Sequence, residues 1–146
     1  HMPAMNQTFR ALRGDGAYRD DRRIRVSDVD NLAQAHLYYS SMSWFKKANM
    51  EKTFLHLVGL TERQRGFGDF YGFVLVAQGA GEIMLEHGVH AWDLAALIPL
   101  VEEAGGTFTD WQGQPTIHAG EALATNGRVL AEVLGVTRGY SGRPRN

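Results

Sequence analysis

Hydrophobic and polar positions change period several times along the chain, and each change marks an element. Over residues 8–27 the period is two. Thr8, Arg10 and Leu12 alternate with Phe9 and Ala11, and Gly14-Asp15-Gly16 suits a turn with positive φ, so strand, turn, strand is predicted. Residues 35–41 form a short apolar and aromatic run, expected as a buried strand. Trp44, Phe45, Phe54, Leu55 and Val58 then recur at roughly helical spacing, which predicts one helix. Residues 63–68 read as another strand, 69–81 as a buried helix stopped at Gly79 or Gly81, and 82–86 as a short strand.

Residues 93–104 carry the clearest helical pattern. Leu94, Leu97, Ile98 and Val101 share one face, Asp93 stands where an N-cap or first-turn acid belongs, and Gly105-Gly106 supplies a stop. Pro99 conflicts with that pattern, because inside a helix it costs about 3 kcal/mol. A kink or an irregular first turn is expected there. Residues 107–111 and 122–126 read as strands and 127–136 as a closing helix. Strands alternate with helices from residue 35 onward, which predicts a layered α/β domain.

The 146 residues suffice for one domain with a core, and 44% hydrophobic with 21% charged residues indicates a globular protein. The net charge of −1 gives no basic footprint for nucleic acid and no polybasic membrane patch. No apolar run approaches the ~18–20 residues of a membrane span, and the first residues do not read as a signal peptide. His1 before Met2 looks like the remnant of a cleaved tag. With no cysteine there is neither a disulfide framework nor thiolate chemistry, and a cytoplasmic location is the default expectation. The expected organisation is an N-terminal arm over 1–7, a β-hairpin over 8–27, an α/β domain over 28–138 and a polar frayed tail over 139–146.

Candidate chemistry gathers around the entrance to the helix over 93–104. Glu86 and Asp93 can meet at one cleft if a strand end, a turn and a helix start lie between them. Asp93 suits Mg²⁺, which takes one or two carboxylates plus water and phosphate oxygens, and it equally suits a plain helix cap, the commoner case. His87 and His90 are three apart, but Gly88 interrupts them and no third nitrogen or sulfur ligand is near, so solvated or supporting histidines are expected rather than zinc. In "RGFGDFYG" a loose Gly-x-Gly precedes an acid and a helix. Helix N-termini attract anions, but Asp69 would repel a phosphate. It fits a cationic group or a cap.

"GEIMLEHGVHAWDLAALIPLVEEAGGTFTDWQG", followed by "ALATNG", closely resembles the C-terminal region of the inositol monophosphatase family. These are Mg²⁺-dependent, lithium-sensitive phosphomonoesterases of layered α/β/α/β/α fold. The family pattern Trp-Asp-x-Ala-Ala, then Glu-Ala-Gly-Gly, stands here as Trp92-Asp93-Leu94-Ala95-Ala96 and Glu103-Ala104-Gly105-Gly106. "FRALRGDGAYRDDRRIRVS" resembles the family's strand pair before the second sheet, so the resemblance runs from about Phe9 to Leu134. "RGFGDFYGFVLVAQGAGE" looks most like the histidinol-phosphate phosphatase branch. The implied fold is a layered mixed sheet flanked by helices, preceded by a β-hairpin left from the family's first sheet. The resemblance implies Asp93 as a metal ligand, Glu86 as a contact to the non-phosphate part of the substrate, and Asp69 as an acid lining the same pocket, suited to a cationic amino alcohol.

The family's other metal ligands lie in an upstream Glu and an Asp-Pro-x-Asp-Gly-Thr motif. The four prolines here follow Met2, Ile98, Gln114 and Arg143, so no Asp-Pro occurs. The expected function is therefore a C-terminal portion of a phosphomonoesterase, inactive alone. Half of a split enzyme, or a truncated member reused as a binding or oligomerising module, are the alternatives. Glu86 and Asp93 alone predict at best about millimolar Mg²⁺ binding. Self-association through the hairpin is also expected. Its edges would be unpaired and Phe9, Leu12, Tyr18 and Ile24 partly uncovered, against like-charge repulsion among Arg10, Arg13, Arg19, Arg22, Arg23 and Arg25.

Overall fold

The structure is a computed structural model that describes residues 1–139. It stacks four layers. The first is an antiparallel sheet of β1 (Phe9–Leu12), β2 (Gly16–Arg19) and β3 (Arg22–Ile24), in that order. Three strands rather than two form because the chain turns again at Asp20, which adopts a left-handed φ of 54°. Aspartate tolerates that conformation well. Its carboxylate accepts the Thr8 N–H at 2.9 Å, and its own N–H reaches the Thr8 carbonyl at 2.7 Å.

The third layer is a five-stranded sheet ordered β5 (Arg63–Gly66), β4 (His36–Tyr39), β6 (Ile83–His87), β8 (Glu121–Thr125) and β7 (Thr107–Thr109). β4 runs parallel to both β5 and β6, while β6–β8 and β8–β7 are antiparallel, so the sheet is mixed as expected. Strand alternation sorts its side chains between two cores. Met84 faces α3 (Phe70–Ala77) and α5 (Leu97–Glu103), while Ile83 and Leu85 face α1 (Met42–Lys47), α2 (Glu51–Leu60) and α6 (Leu130–Thr137).

Two expected helices are divided. The helix drawn through Trp44 and Val58 breaks into α1 and α2 at Asn49, whose φ is 55°. The break lets Phe45 stack on Phe54 with ring centres 4.3 Å apart, and on Trp111 at 5.9 Å. That packing outweighs the helical period. The helix expected over 93–104 likewise splits into α4 (Ala91–Leu94) and α5. Pro99 is the third residue of α5, where its missing N–H is one that a helix leaves unpaired anyway. The strand expected over 107–111 stops at Thr109. The Asp110 carboxylate there accepts the N–H groups of Gln112 and Gln114, each at 2.8 Å, and turns the chain. The expected tail lies outside the described residues from Tyr140 onward.

The small sheet is fixed to α5 by more than apolar contact. Glu103 accepts the N–H groups of Gly14 at 2.9 Å and Gly16 at 3.0 Å, and the Val26 N–H reaches the Ala104 carbonyl at 3.1 Å. Phe9, Ala11, Ala17 and Ile24 point into the core with α3 and α5. Of the four residues expected to form an uncovered patch, Phe9 and Ile24 are thus sheltered within the chain. Leu12 is exposed at 67%, and Tyr18 is half-buried with the Arg10 guanidinium 4.9 Å from its ring centre.

Candidate functional site

The carboxyl ends of the three parallel strands converge on one cavity of about 420 Å³. Ser40 follows β4, Asp69 follows β5, and Glu86 and His87 end β6, and all four line this cavity. Ligands of open α/β sheets bind at such strand ends. Asp93, on the first turn of α4, lines the same cavity. Asp69, Glu86 and Asp93 are therefore brought together although 24 residues separate the first from the last.

Each carboxylate is held differently. Glu86 is 3% exposed; one of its oxygens accepts the His87 N–H at 3.1 Å, and the other is buried without a hydrogen-bond partner of good geometry. Burial pushes its carboxyl above the usual range, and the charge of Asp69 adds to that rise. The nearby Ser40 hydroxyl and the His87 N–H act in the opposite direction. Asp69 is exposed and has φ 56° and ψ −144°, a backbone conformation that strains any residue with a side chain. It stands at the N-terminus of α3 but makes no capping hydrogen bond, so the cap does not explain it. Asp93 does act as a cap. It accepts the His90 N–H at 2.9 Å while remaining about half exposed to the cavity. Capping and cavity-lining are thus both properties of Asp93.

His87 and His90 lie in different aromatic surroundings. His87 packs between Trp44 and Trp111, with ring centres at 6.0 and 5.3 Å, and burial lowers its pKa below the ordinary value. His90 lies flat on Trp92 at 4.6 Å, outside that stack. Among the described residues no three His, Cys, Asp or Glu side chains gather closely enough to hold a metal ion. Mg²⁺ takes about six oxygen ligands in strict octahedral geometry. The residues present do not complete such a site.

Ser40 and Trp44 were not singled out by their chemistry in the sequence, whereas His87 was weighed there with His90 as a solvated or supporting histidine. Only the rule that parallel strand ends bind ligands could have pointed to Ser40. Trp44 reaches the cavity from α1, where helical periodicity shows only an apolar position.

The pKa of Glu86 has a measurable consequence for stability. Its carboxyl is raised in the fold, so folding prefers the neutral form. That contribution is present below the ordinary carboxyl pKa and is lost as pH rises through the raised value. At pH 7 the ionised group is then a cost, and Glu86→Gln should raise stability by on the order of 1 kcal/mol. Urea midpoints should converge with those of the parent chain towards pH 4. Equal midpoints at pH 7 would show instead that the cavity stabilises the carboxylate.

The inositol monophosphatase family model matches residues 1–139. The histidinol-phosphatase of Mycobacterium tuberculosis is 40% identical over 137 residues, which cover 90% of this chain and 53% of that protein. The histidinol-phosphatase of Streptomyces coelicolor is 37% identical over 138 residues, covering 91% and 52%. The solved IMPase of Thermotoga maritima superposes with a TM-score of 0.82 at 29% identity, covering 95% of this chain and 54% of its own. The chain spans about half the length of the relatives it matches and corresponds to their C-terminal half. By sequence and by fold, it belongs to the inositol monophosphatase family.

Proposed function

We propose that this chain supplies the leaving-group side of a phosphomonoesterase site of histidinol-phosphate type, and that it is inactive alone. The observation that carries the reading is the convergence of Asp69, Glu86 and Asp93 on one cavity at the parallel strand ends. An acidic cavity repels a bare phosphate and attracts a cation. Asp69 and Glu86 suit the ammonium group of an amino alcohol. A cation bound there would relieve the repulsion between them and return Glu86 to its ionised state. The 40% identity to a protein named histidinol-phosphatase supports the same substrate class.

The inactivity follows from the ligand count. Two-metal hydrolysis of a phosphoester needs ions that activate water and stabilise the leaving oxygen. Asp93 brings one carboxylate to that task, and the described residues gather no three-ligand group. Asp93 would have to be joined by ligands from a second segment of the family fold.

The test is release of inorganic phosphate from histidinol phosphate with Mg²⁺. The isolated chain should match the buffer control. Mixing it with the N-terminal half of a family histidinol-phosphatase should restore turnover. Turnover by the isolated chain, lost in Asp93→Asn, would overturn the inactivity. A folded mixture that binds but never turns over would leave the chain a non-catalytic binding module.

A further inference from the structure

A cavity of about 300 Å³ shares no lining residue with the acidic one. Three elements wall it. α5 gives Ile98, Pro99, Glu102 and Glu103, the turn after β1 gives Arg13, and the loop between β7 and β8 gives Ile117. Ile98 and Glu102 are four apart in α5 and so share a helix face. The Glu103 carboxylate accepts the Gly14 N–H on one oxygen and the Gly16 N–H on the other, which ties the turn carrying Arg13 to α5. Arg13 and Glu102 are then the charged groups still open to a ligand, one of each sign. Among the described residues, neither side chain makes an ion pair or a hydrogen bond. The two line one cavity without closing on each other.

We propose that this cavity binds a free α-amino acid with a branched apolar side chain. Arg13 takes the carboxylate, Glu102 takes the ammonium, and Ile98, Pro99 and Ile117 receive the side chain. The guanidinium fork matches a carboxylate with two parallel N–H bonds, and Glu102 offers only acceptors, which an ammonium satisfies. A lone anion would meet Glu102 and Glu103, and a lone cation would meet Arg13. A wholly apolar occupant would strip water from two charges without replacing it. A zwitterion answers both signs at once. Exposed arginine and glutamate gain little by pairing directly, so a ligand that separates them gives up little. The volume stands at the small end of ligand cavities, which suits an amino acid. Holding one residue on each element, the ligand clasps the small sheet to α5. Because its lining is separate, this site stands or falls independently of the acidic cavity.

The experiment is isoleucine-methyl NMR of the full chain, titrated with L-leucine. The chain has four isoleucines. Ile98 and Ile117 line the cavity, while Ile24 and Ile83 are buried elsewhere and serve as references. L-leucine should shift the methyls of Ile98 and Ile117 saturably, in the millimolar range expected where exposed charges supply the polar contacts, and leave the references in place. Isoamylamine and 4-methylpentanoate each keep the side chain and one charge, and both should bind about fivefold or more weakly. Glycine, which keeps both charges and loses the side chain, should also bind more weakly. Arg13→Gln should weaken L-leucine and 4-methylpentanoate but not isoamylamine, and Glu102→Gln should do the reverse for the two single-charge probes. Glu103 leaves a residual negative charge nearby, so isoamylamine binding as tightly as L-leucine would reduce the site to a cation site and overturn the proposal. Methyls of Ile98 and Ile117 that do not move with L-leucine, or affinity unchanged in both variants, would overturn it as well.

Discussion

Gly106→Ala should unfold the protein or cost it about 3 kcal/mol or more, because a Cβ there has nowhere to go. It would lie 2.6 Å from the Thr125 carbonyl oxygen and 3.1 Å from the Val101 carbonyl oxygen. Both obstacles are backbone, one at the last residue of β8, an interior strand of the sheet, and one in the last turn of α5, so neither can rotate away. The helix would have to lift from the sheet, and Val101, fully buried between them, would lose its packing. Gly105→Ala makes the control. Gly105 has a left-handed φ of 92°, but its nearest side-chain neighbour is 3.7 Å from a built Cβ. That substitution strains only the backbone, by about 1 kcal/mol. Urea denaturation of the two variants should therefore give very different midpoints. Similar losses would show that the motif's two glycines do the same work.

The same pair shows what was legible in the sequence. Gly105-Gly106 reads as a helix stop, and Gly105 is one, with positive φ just past α5. Nothing in the local pattern shows that Gly106 exists for a contact with a strand 19 residues later. Elements whose signals are local were legible: β4, β6, α3 and the turn at Gly14-Asp15-Gly16. The misread boundaries are those set by tertiary packing. The break at Asn49 serves the Phe45–Phe54–Trp111 stack, and the split before Leu97 lets Pro99 sit in a first turn. The third strand of the small sheet was hidden by an Asp-Asp turn in a run dense with arginine, where hydrophobic alternation is weak. The candidate site was legible as three acids, through the family motif, but not as a cavity. Ser40, Trp44 and His87 join it only when the strand ends align.

Asp93→Asn should leave stability almost unchanged and yet abolish the activity of a complemented assembly. The cap that Asp93 makes and the ligand role proposed for it depend on different properties of its carboxylate. As a cap it needs an oxygen that accepts the His90 N–H, now 2.9 Å away, and the amide oxygen of asparagine provides one. As a ligand it needs charge, which asparagine lacks, and a hard divalent ion discriminates strongly between the two. Asp93→Ala removes both properties and should lose about 1 kcal/mol of stability in addition. Loss of groups that merely support metal ligands already costs about 10- to 100-fold, so loss of a ligand's charge should exceed about 100-fold in phosphate release from the mixed halves. The comparison is informative because the cap is short: α4 spans only Ala91–Leu94, and Asp93 helps fix the chain between β6 and α5. Thermal unfolding of the three chains would report the cap, and phosphate release from the mixtures would report the ligand. If asparagine and alanine lose stability equally and the asparagine mixture keeps its rate, Asp93 is a cap alone and the metal must be held elsewhere.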